Sequence, residues 1–335
     1  MIVWVPLIAV LALVAVAWLG AAAGLDVLFG VVIPYAAIVA FLTGVIWRVL
    51  SWARAPVPFN ITTTCGQQTS LPWIQSSPIE NPHTRLGVIG RMALEVLTFR
   101  SLARNVKHEF VSRENFEPRL AYKTSLWLWF GALAFHYSFL VVFLRHYRFF
   151  SNPVPRPLQM VETLDGFFQV GSPTIFVSGF VLLAAATFLL LRRLALPQIR
   201  YISLATDYFP LFLLIGIALT GILMRYTALR VDITEVKNLC MGLMRFEPDF
   251  TTGGIGPIFY AHLTLVSVLF AYLPFSKLSH MMGVFLSPTR NMCGASRMVR
   301  HVNPWNYPVK VHSYEEYENE FRDKMKAAGI PVDKE

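Results

Sequence analysis

Residues 130–146, FGALAFHYSFLVVFLRH, and residues 259–280, FYAHLTLVSVLFAYLPFSKLSH, decide how this chain is read. Each holds an apolar run of the kind that crosses a bilayer, and each carries two histidines: His136 with His146, and His262 with His280. An ionisable side chain within a spanning helix is expensive and is retained where it meets a cavity, a partner or a ligand. The other histidines, His83, His108, His301 and His312, lie in polar segments and read as ordinary surface or partner-facing residues.

The surrounding sequence agrees with a membrane setting. The chain has 335 residues, 55% apolar and only 15% charged, with a mean hydropathy of +0.51; a soluble domain carries about 25% charged residues. Uncharged or nearly uncharged runs cover 1–25, 27–47, 125–144, 171–191, 208–224 and 255–275. Each matches the roughly 20 residues that a spanning helix needs, and lipid leaves helices or closed barrels as the only spanning forms. The first run lacks a basic leader and is too long for a signal-peptide core, so it reads as a retained span. The fold class is therefore an all-α integral membrane protein with six transmembrane helices. It divides into two N-terminal spans (1–50), a loop with an amphipathic helix (51–123), a four-helix membrane domain that carries the paired histidines (124–288) and a C-terminal tail (289–335).

The net charge of +9 does not indicate nucleic acid, because the basic residues flank the apolar runs. Lipid headgroups and the positive-inside bias put them there. With six crossings, the segments 48–123, 192–200 and 277–335 share one side and hold 22 Lys and Arg, against seven on the other. That bias places both termini in the cytoplasm, in a multi-pass protein of the cytoplasmic (inner) membrane. It also makes the third and sixth spans antiparallel, so His136 meets His280 near the inside and His146 meets His262 near the outside. Helical rises of ~15 Å and ~27 Å between the histidines of each span put two bound metals ~21 Å apart.

Paired neutral imidazoles suit haem iron, and ligation by two histidines leaves no open site, as electron transfer requires. The expectation is two haem b groups, the inner iron held by His136 and His280 and the outer by His146 and His262. A proton-relay transporter would carry acidic residues in its span cores, and none is present. The competing reading is a non-redox anchor whose histidines are structural. Near the outer pair, Arg145, Arg148, Gln159, Asp165 and Arg225 lie within reach of a quinone, or serve as interface anchors; no catalytic residue is assigned.

The three cysteines, Cys65, Cys240 and Cys293, form no CxxC or CxxCH pattern, so neither an iron–sulfur centre nor a c-type haem is indicated within the chain. Cys65 is either an inert thiol or a redox-active one facing a partner. Residues 85–110 read as a helix, with Val88, Met92, Val96, Phe99 and Leu102 opposite Arg91, Arg100 and Arg104. Such a helix lies at the membrane interface or packs on a soluble partner. The charged amphipathic tail, 314–326, reads as a docking surface.

The histidine spacings, with HLTLVSVLFAYLPFSKLSH at 262–280, resemble the gamma subunits of respiratory nitrate reductases, the NarI-like cytochromes b, over spans two to six. In that family the four matching histidines ligate two b haems and quinol is oxidised near the outer one. VPFNITTTCGQQTSLPWIQSS (57–77), NPWNYPVKVHSYEEYENEFRDKMKAAGIPV (303–332) and the additional N-terminal span are similar to the DsrM family, the cytochromes b of DsrMKJOP complexes in dissimilatory sulfur (sulfite/sulfate) metabolism. The resemblance implies exchange of electrons with menaquinone and transfer to or from a cytoplasmic DsrK-like iron–sulfur protein acting on DsrC. DsrJ, DsrO and DsrP-like subunits complete that assembly, and the sulfur chemistry lies on other chains. Heterodisulfide-reductase-type subunits of related complexes are the alternative partners.

Overall fold

The computed structural model describes residues 2–55, 66–104, 106–111, 117, 119–166, 174–248, 255–294 and 311–334, with 106–111 and 119–124 as backbone. Cys65 and His301 lie outside the described residues, as does the side chain of His108.

Among the described residues six helices are long and apolar enough to span a bilayer. They are α1 (Trp4–Ala22), α2 (Ile33–Ala53), α5 (Leu126–His146), α7 (Val177–Ala195), α9 (Ala205–Tyr226) and α11 (Pro257–Tyr272). Pro34, which has no N–H to offer Gly30, follows a π turn at Leu28–Val32 that feeds α2. Between the spans lie α3 (Arg85–Thr98), α4 (Arg100–Ala103), α6 (Arg156–Asp165), α8 (Pro197–Ile202) and α10 (Ile233–Arg245). After the last span come α12 (His280–Leu286) and α13 (Tyr314–Ala327). The strands β1 (Val106–Val111) and β2 (Arg119–Thr124) pair antiparallel, Val106 opposite Thr124 and Val111 opposite Arg119, just before α5. The membrane bundle itself is all-α, with six spans as the sequence indicates.

α11 is the hub. Ile258, Phe259, Tyr260, Ala261, His262, Thr264, Leu265, Ser267 and Leu269 are buried around its whole circumference, as befits a helix enclosed by others. α1, α2 and α9 pack on it, α7 on α9, and α5 on α7. Val10 joins Leu213, Leu214, Leu265 and Leu269 in one apolar cluster, and Ala17 joins Phe259, Tyr260 and Ala261 in another. The N-terminal spans are thus part of the wall around α11. Small residues let the backbones close up: a Cβ on Gly44 of α2 would sit 2.8 Å from the Cβ of Pro274. Alongside, Arg48 Nε donates to the Pro274 carbonyl at 2.9 Å.

Two expectations are corrected. Residues 85–110 do not form one helix: α3 stops at Thr98, where Phe99 adopts a left-handed φ of 48°. After α4 the chain extends into β1, whose Val106, Phe110 and Val111 suit a strand and whose ladder partner β2 overrides the helical periodicity. The sixth span does not run on to His280 either. Pro274 sits in a 3-10 turn (Leu273–Phe275), Ser276 is extended at φ −121° and ψ 177°, and the Ser276 hydroxyl caps a new turn by accepting from Leu278 N at 3.2 Å. His280 therefore opens α12, and the ~27 Å rise along a continuous helix does not apply.

The tail closes on itself. Ser313 and Glu316 cap α13 reciprocally, and buried Glu318 accepts from the Asp333 and Lys334 amides at 2.9 Å and from Arg322 Nε at 3.2 Å. Gly329, at φ 67°, supplies the reversal that brings residues 333 and 334 back.

Gly44→Val should wedge α2 away from Pro274 and destabilise the bundle by about 1–3 kcal/mol, the usual cost of overpacking. A thermal unfolding series in detergent, with wild type alongside, checks it.

Candidate histidine site

α5 supplies His136 and His146, ten residues apart; α11 supplies His262 and α12 supplies His280. The rings form two pairs. His136 and His280 lie 6.1 Å apart between centroids, at 85° to each other, and His146 and His262 lie 6.4 Å apart, at 14°. α5 and α11 approach through long side chains, the histidines together with Phe135 and Phe139, which reach the apolar cluster of α9 and α11.

In each ring Nδ1 is engaged by the protein. His136 faces the Ala132 carbonyl at 2.8 Å, His146 the Val142 carbonyl at 2.7 Å and His280 the Lys277 carbonyl at 2.9 Å. A carbonyl can only accept, so these three Nδ1 atoms carry the proton and, in the neutral ring, Nε2 keeps the lone pair. His262 reaches across to α9 instead, with Nδ1 2.9 Å from Thr220 Oγ1. That hydroxyl donates to the Gly216 carbonyl at 2.7 Å, which leaves its oxygen to accept from His262. Gly221, next along α9, makes room for the ring: a Cβ there would lie 3.4 Å from His262 Cε1.

All four rings thus hold the tautomer that a metal ligand needs, with the second nitrogen fixing orientation. Two metal–nitrogen bonds of about 2 Å in line, with half a ring at each end, put trans imidazole centroids about 6 Å apart. Both pairs have that gap. Among the described residues no group of three or more His, Cys, Asp or Glu side chains converges as a metal site. Each pair fits a group that brings its own equatorial ligands, as a porphyrin does. The two pairs also differ in ring angle, so irons held there would have distinct ligand fields.

Beside His146 a polar cluster closes the end of the bundle. Arg145 pairs with Asp165 at the C-terminus of α6 and donates to Ser178 Oγ at 3.2 Å. Ser178 gives Asp165 two more bonds, from its amide at 2.8 Å and its hydroxyl at 2.6 Å. Two guanidinium groups lie against the Phe176 ring, Arg145 Cζ 3.4 Å and Arg225 Cζ 4.2 Å from its centroid. Arg225 also donates to the Thr174 carbonyl, and the Tyr226 hydroxyl bonds the Phe176 amide at 2.8 Å.

Of the five polar residues singled out from the sequence, Arg145, Asp165 and Arg225 converge here. Arg148 pairs with Glu162 instead, and Gln159 donates to the Val154 carbonyl at 2.7 Å within its own segment. Thr220, Ser178 and Phe176 were not legible as site residues. The usable signal was a hydroxyl inside an apolar span, which in lipid has to find a partner. Cys240 is an apolar packing residue: burial pushes its thiol up to about 12, which keeps it un-ionised.

The sequence profile described as nitrate reductase gamma subunit matches residues 92–300, a range that contains all four histidines. An Archaeoglobus fulgidus protein named Hdr-like menaquinol oxidoreductase cytochrome b-like subunit is 42% identical over 288 residues, 84% of each chain. A protein of the same name from Archaeoglobus profundus is 37% identical over 281 residues, 82% of this chain and 81% of its own.

Asp165→Ala should leave the buried Arg145 charge uncompensated and destabilise the bundle by roughly 3–5 kcal/mol, as does breaking a buried pair from one side. Denaturant titration in detergent reads this directly, and the double variant with Arg145→Met should recover part of the loss.

Proposed function

This chain belongs to the nitrate reductase gamma subunit family, and on that footing we propose that it is the quinone-linked cytochrome b of a membrane oxidoreductase. It carries electrons across the bilayer through two b-type haems, one between His136 and His280 and one between His146 and His262. The observation that carries the reading is the pair of imidazole gaps, 6.1 Å and 6.4 Å between centroids, with every Nδ1 already engaged.

Bound haem supplies a one-electron iron couple and four equatorial nitrogens. The residues do the rest. The Nδ1 hydrogen bonds hold each ring in register and make its Nε2 a stronger donor. An imidazole on each side would leave a bound group no open position for a small molecule, which suits electron transfer. Menaquinone is the lipid-soluble substrate, a choice supported by the names of both relatives. Its carbonyl oxygens would be met in the Arg145–Asp165–Phe176–Arg225 cluster, where one guanidinium pairs with a carboxylate and a second stacks on the same phenylalanine ring.

The charge bias supports cytoplasmic termini in the inner membrane, and with them an iron–sulfur partner docking on the loop and tail. The stretches at 57–77 and 303–332 and the additional N-terminal span favour a DsrM-like subunit with a DsrK-like partner, and DsrJ, DsrO and DsrP-like subunits beyond it. A heterodisulfide-reductase-type partner is the second reading, favoured by the names of the relatives. Co-purification from intact membranes separates the two by which iron–sulfur chain accompanies the cytochrome.

The purified chain should show a dithionite-reduced b-type spectrum with two haems per chain. His136→Ala or His280→Ala should remove one haem and spare the other; unchanged haem content in both would sink the assignment. Thr220→Val should keep both haems but raise the potential of the one beside His262, since a less electron-rich imidazole disfavours ferric iron. A tenfold shift in ferric preference corresponds to about 59 mV in a redox titration, and Thr220→Ser should restore the wild-type value.

A further inference from the structure

We propose that α3 lies in the bilayer, its outward face against lipid acyl chains in the leaflet where α5 begins. The helix is built inside out for water. Leu86, Ile89 and Leu97 are 81%, 64% and 58% exposed, and Gly90, Ala93, Leu94 and Val96 are exposed with them. At 3.6 residues per turn these seven positions form one continuous arc of about 160° without a charge or hydroxyl. Of the three charged side chains in the helix, Arg85 is exposed at its first residue, outside the arc, and the other two turn away from it. Arg91 donates to the Thr289 carbonyl at 3.2 Å, and Glu95 pairs with Arg290 and takes the Ser101 amide and hydroxyl at 3.0 and 2.7 Å. A helix bathed in water turns its charges out and its leucines in; lipid reverses the preference. Of the apolar face inferred from periodicity, Val88, Met92, Val96, Phe99 and Leu102, only Val96 is exposed: Val88 is buried, and the outward stripe centres on Leu86, Ile89, Ala93 and Leu97.

The C-terminal carbonyls of α3 fix its depth. A helix end normally leaves them to water. Here Tyr137 Oη donates to the Leu97 carbonyl and Trp129 Nε1 to the Thr98 carbonyl, both at 2.7 Å, and the Phe99 amide donates to the Glu95 carbonyl at 3.1 Å. Trp129 and Tyr137 belong to spanning helix α5, three and eleven residues past its start at Leu126. At 1.5 Å per residue those levels are roughly 5 and 17 Å along the span, so the end of α3 sits beside membrane-embedded helix. Satisfaction by side chains of a span is what backbone groups need where water is scarce. α5 itself turns Trp127, Phe130 and Leu140 outward, so the lipid-facing surface continues from the span to the helix tied to it.

The test uses the full-length chain in phosphatidylcholine–phosphatidylglycerol vesicles. Spin labels are placed singly at Leu86, Ile89, Ala93 and Leu97, with Phe130 as the lipid-facing reference and Asn319 of α13 as the aqueous one. The expected result is a ratio of oxygen to water-soluble nickel-chelate collisions several-fold above that at Asn319 and close to that at Phe130. A ratio like that at Asn319 would mean that the stripe faces water. Low collision rates with both reagents would mean that protein covers it, a second copy included. Either result overturns the proposal. The unmodified protein supplies a second measurement: a phosphatidylcholine with a diazirine in its acyl chain should label the peptide containing residues 85–98, and its failure to do so while labelling α5 also overturns the proposal.

Discussion

Inside a bilayer there is no water to complete a hydrogen bond, so each polar group placed there has to find its partner in the protein. Much of this molecule follows from that demand. A histidine with both nitrogens unengaged would be poorly placed in a span. Giving Nδ1 to a carbonyl one turn back, as His136 and His146 do, satisfies one nitrogen and aims the other outward from the helix. His262, inside the most enclosed helix, takes a hydroxyl from the neighbouring span instead. The same demand accounts for the Arg145–Asp165–Ser178 cluster, in which a charged pair is bonded on several sides, and for the carbonyls of α3 held by an indole and a phenol.

The enclosure of α11 gives the N-terminal spans a purpose. α1 and α2 cover the side of α11 that α9 leaves open, and their small residues allow close approach of the backbones. A bare four-helix arrangement would leave that side of α11 to lipid. With the two additional helices in place, His262 is buried within the bundle, where it keeps its cross-helix bond to Thr220.

The spans were legible because hydropathy is a property of composition over about 20 residues, which local exceptions do not disturb. The adjacency of His136 to His280 and of His146 to His262 followed from counting crossings, an argument insensitive to where each helix ends. The break after Tyr272 was less accessible. Proline is tolerated in spanning helices, so Pro274 by itself does not announce an end; the extended Ser276 does, and that is a conformation rather than a composition. The outward face of α3 was only partly legible, through Val96, because arginines on a helix suggest water. Arg91 donates to the Thr289 carbonyl and Glu95 accepts from Arg290, partners about two hundred positions away in sequence. The strands at 106–111 and 119–124 depend on each other, and neither signals its partner by periodicity alone.

The break after Tyr272 gives the two ring pairs different mechanical settings. His146 and His262 both stand on long helices built into the bundle, as if set in two posts. His280 hangs from a short strap that leaves one post at Ser276, passes through α12 and is tied at residues 289 and 290 to α3. A load applied to the strap or to α3 reaches His280 within a few residues, whereas moving His262 requires displacing helices packed around it. One imidazole pair is therefore set by two spanning helices, and the other by one spanning helix and a short tether that rests on α2 and α3.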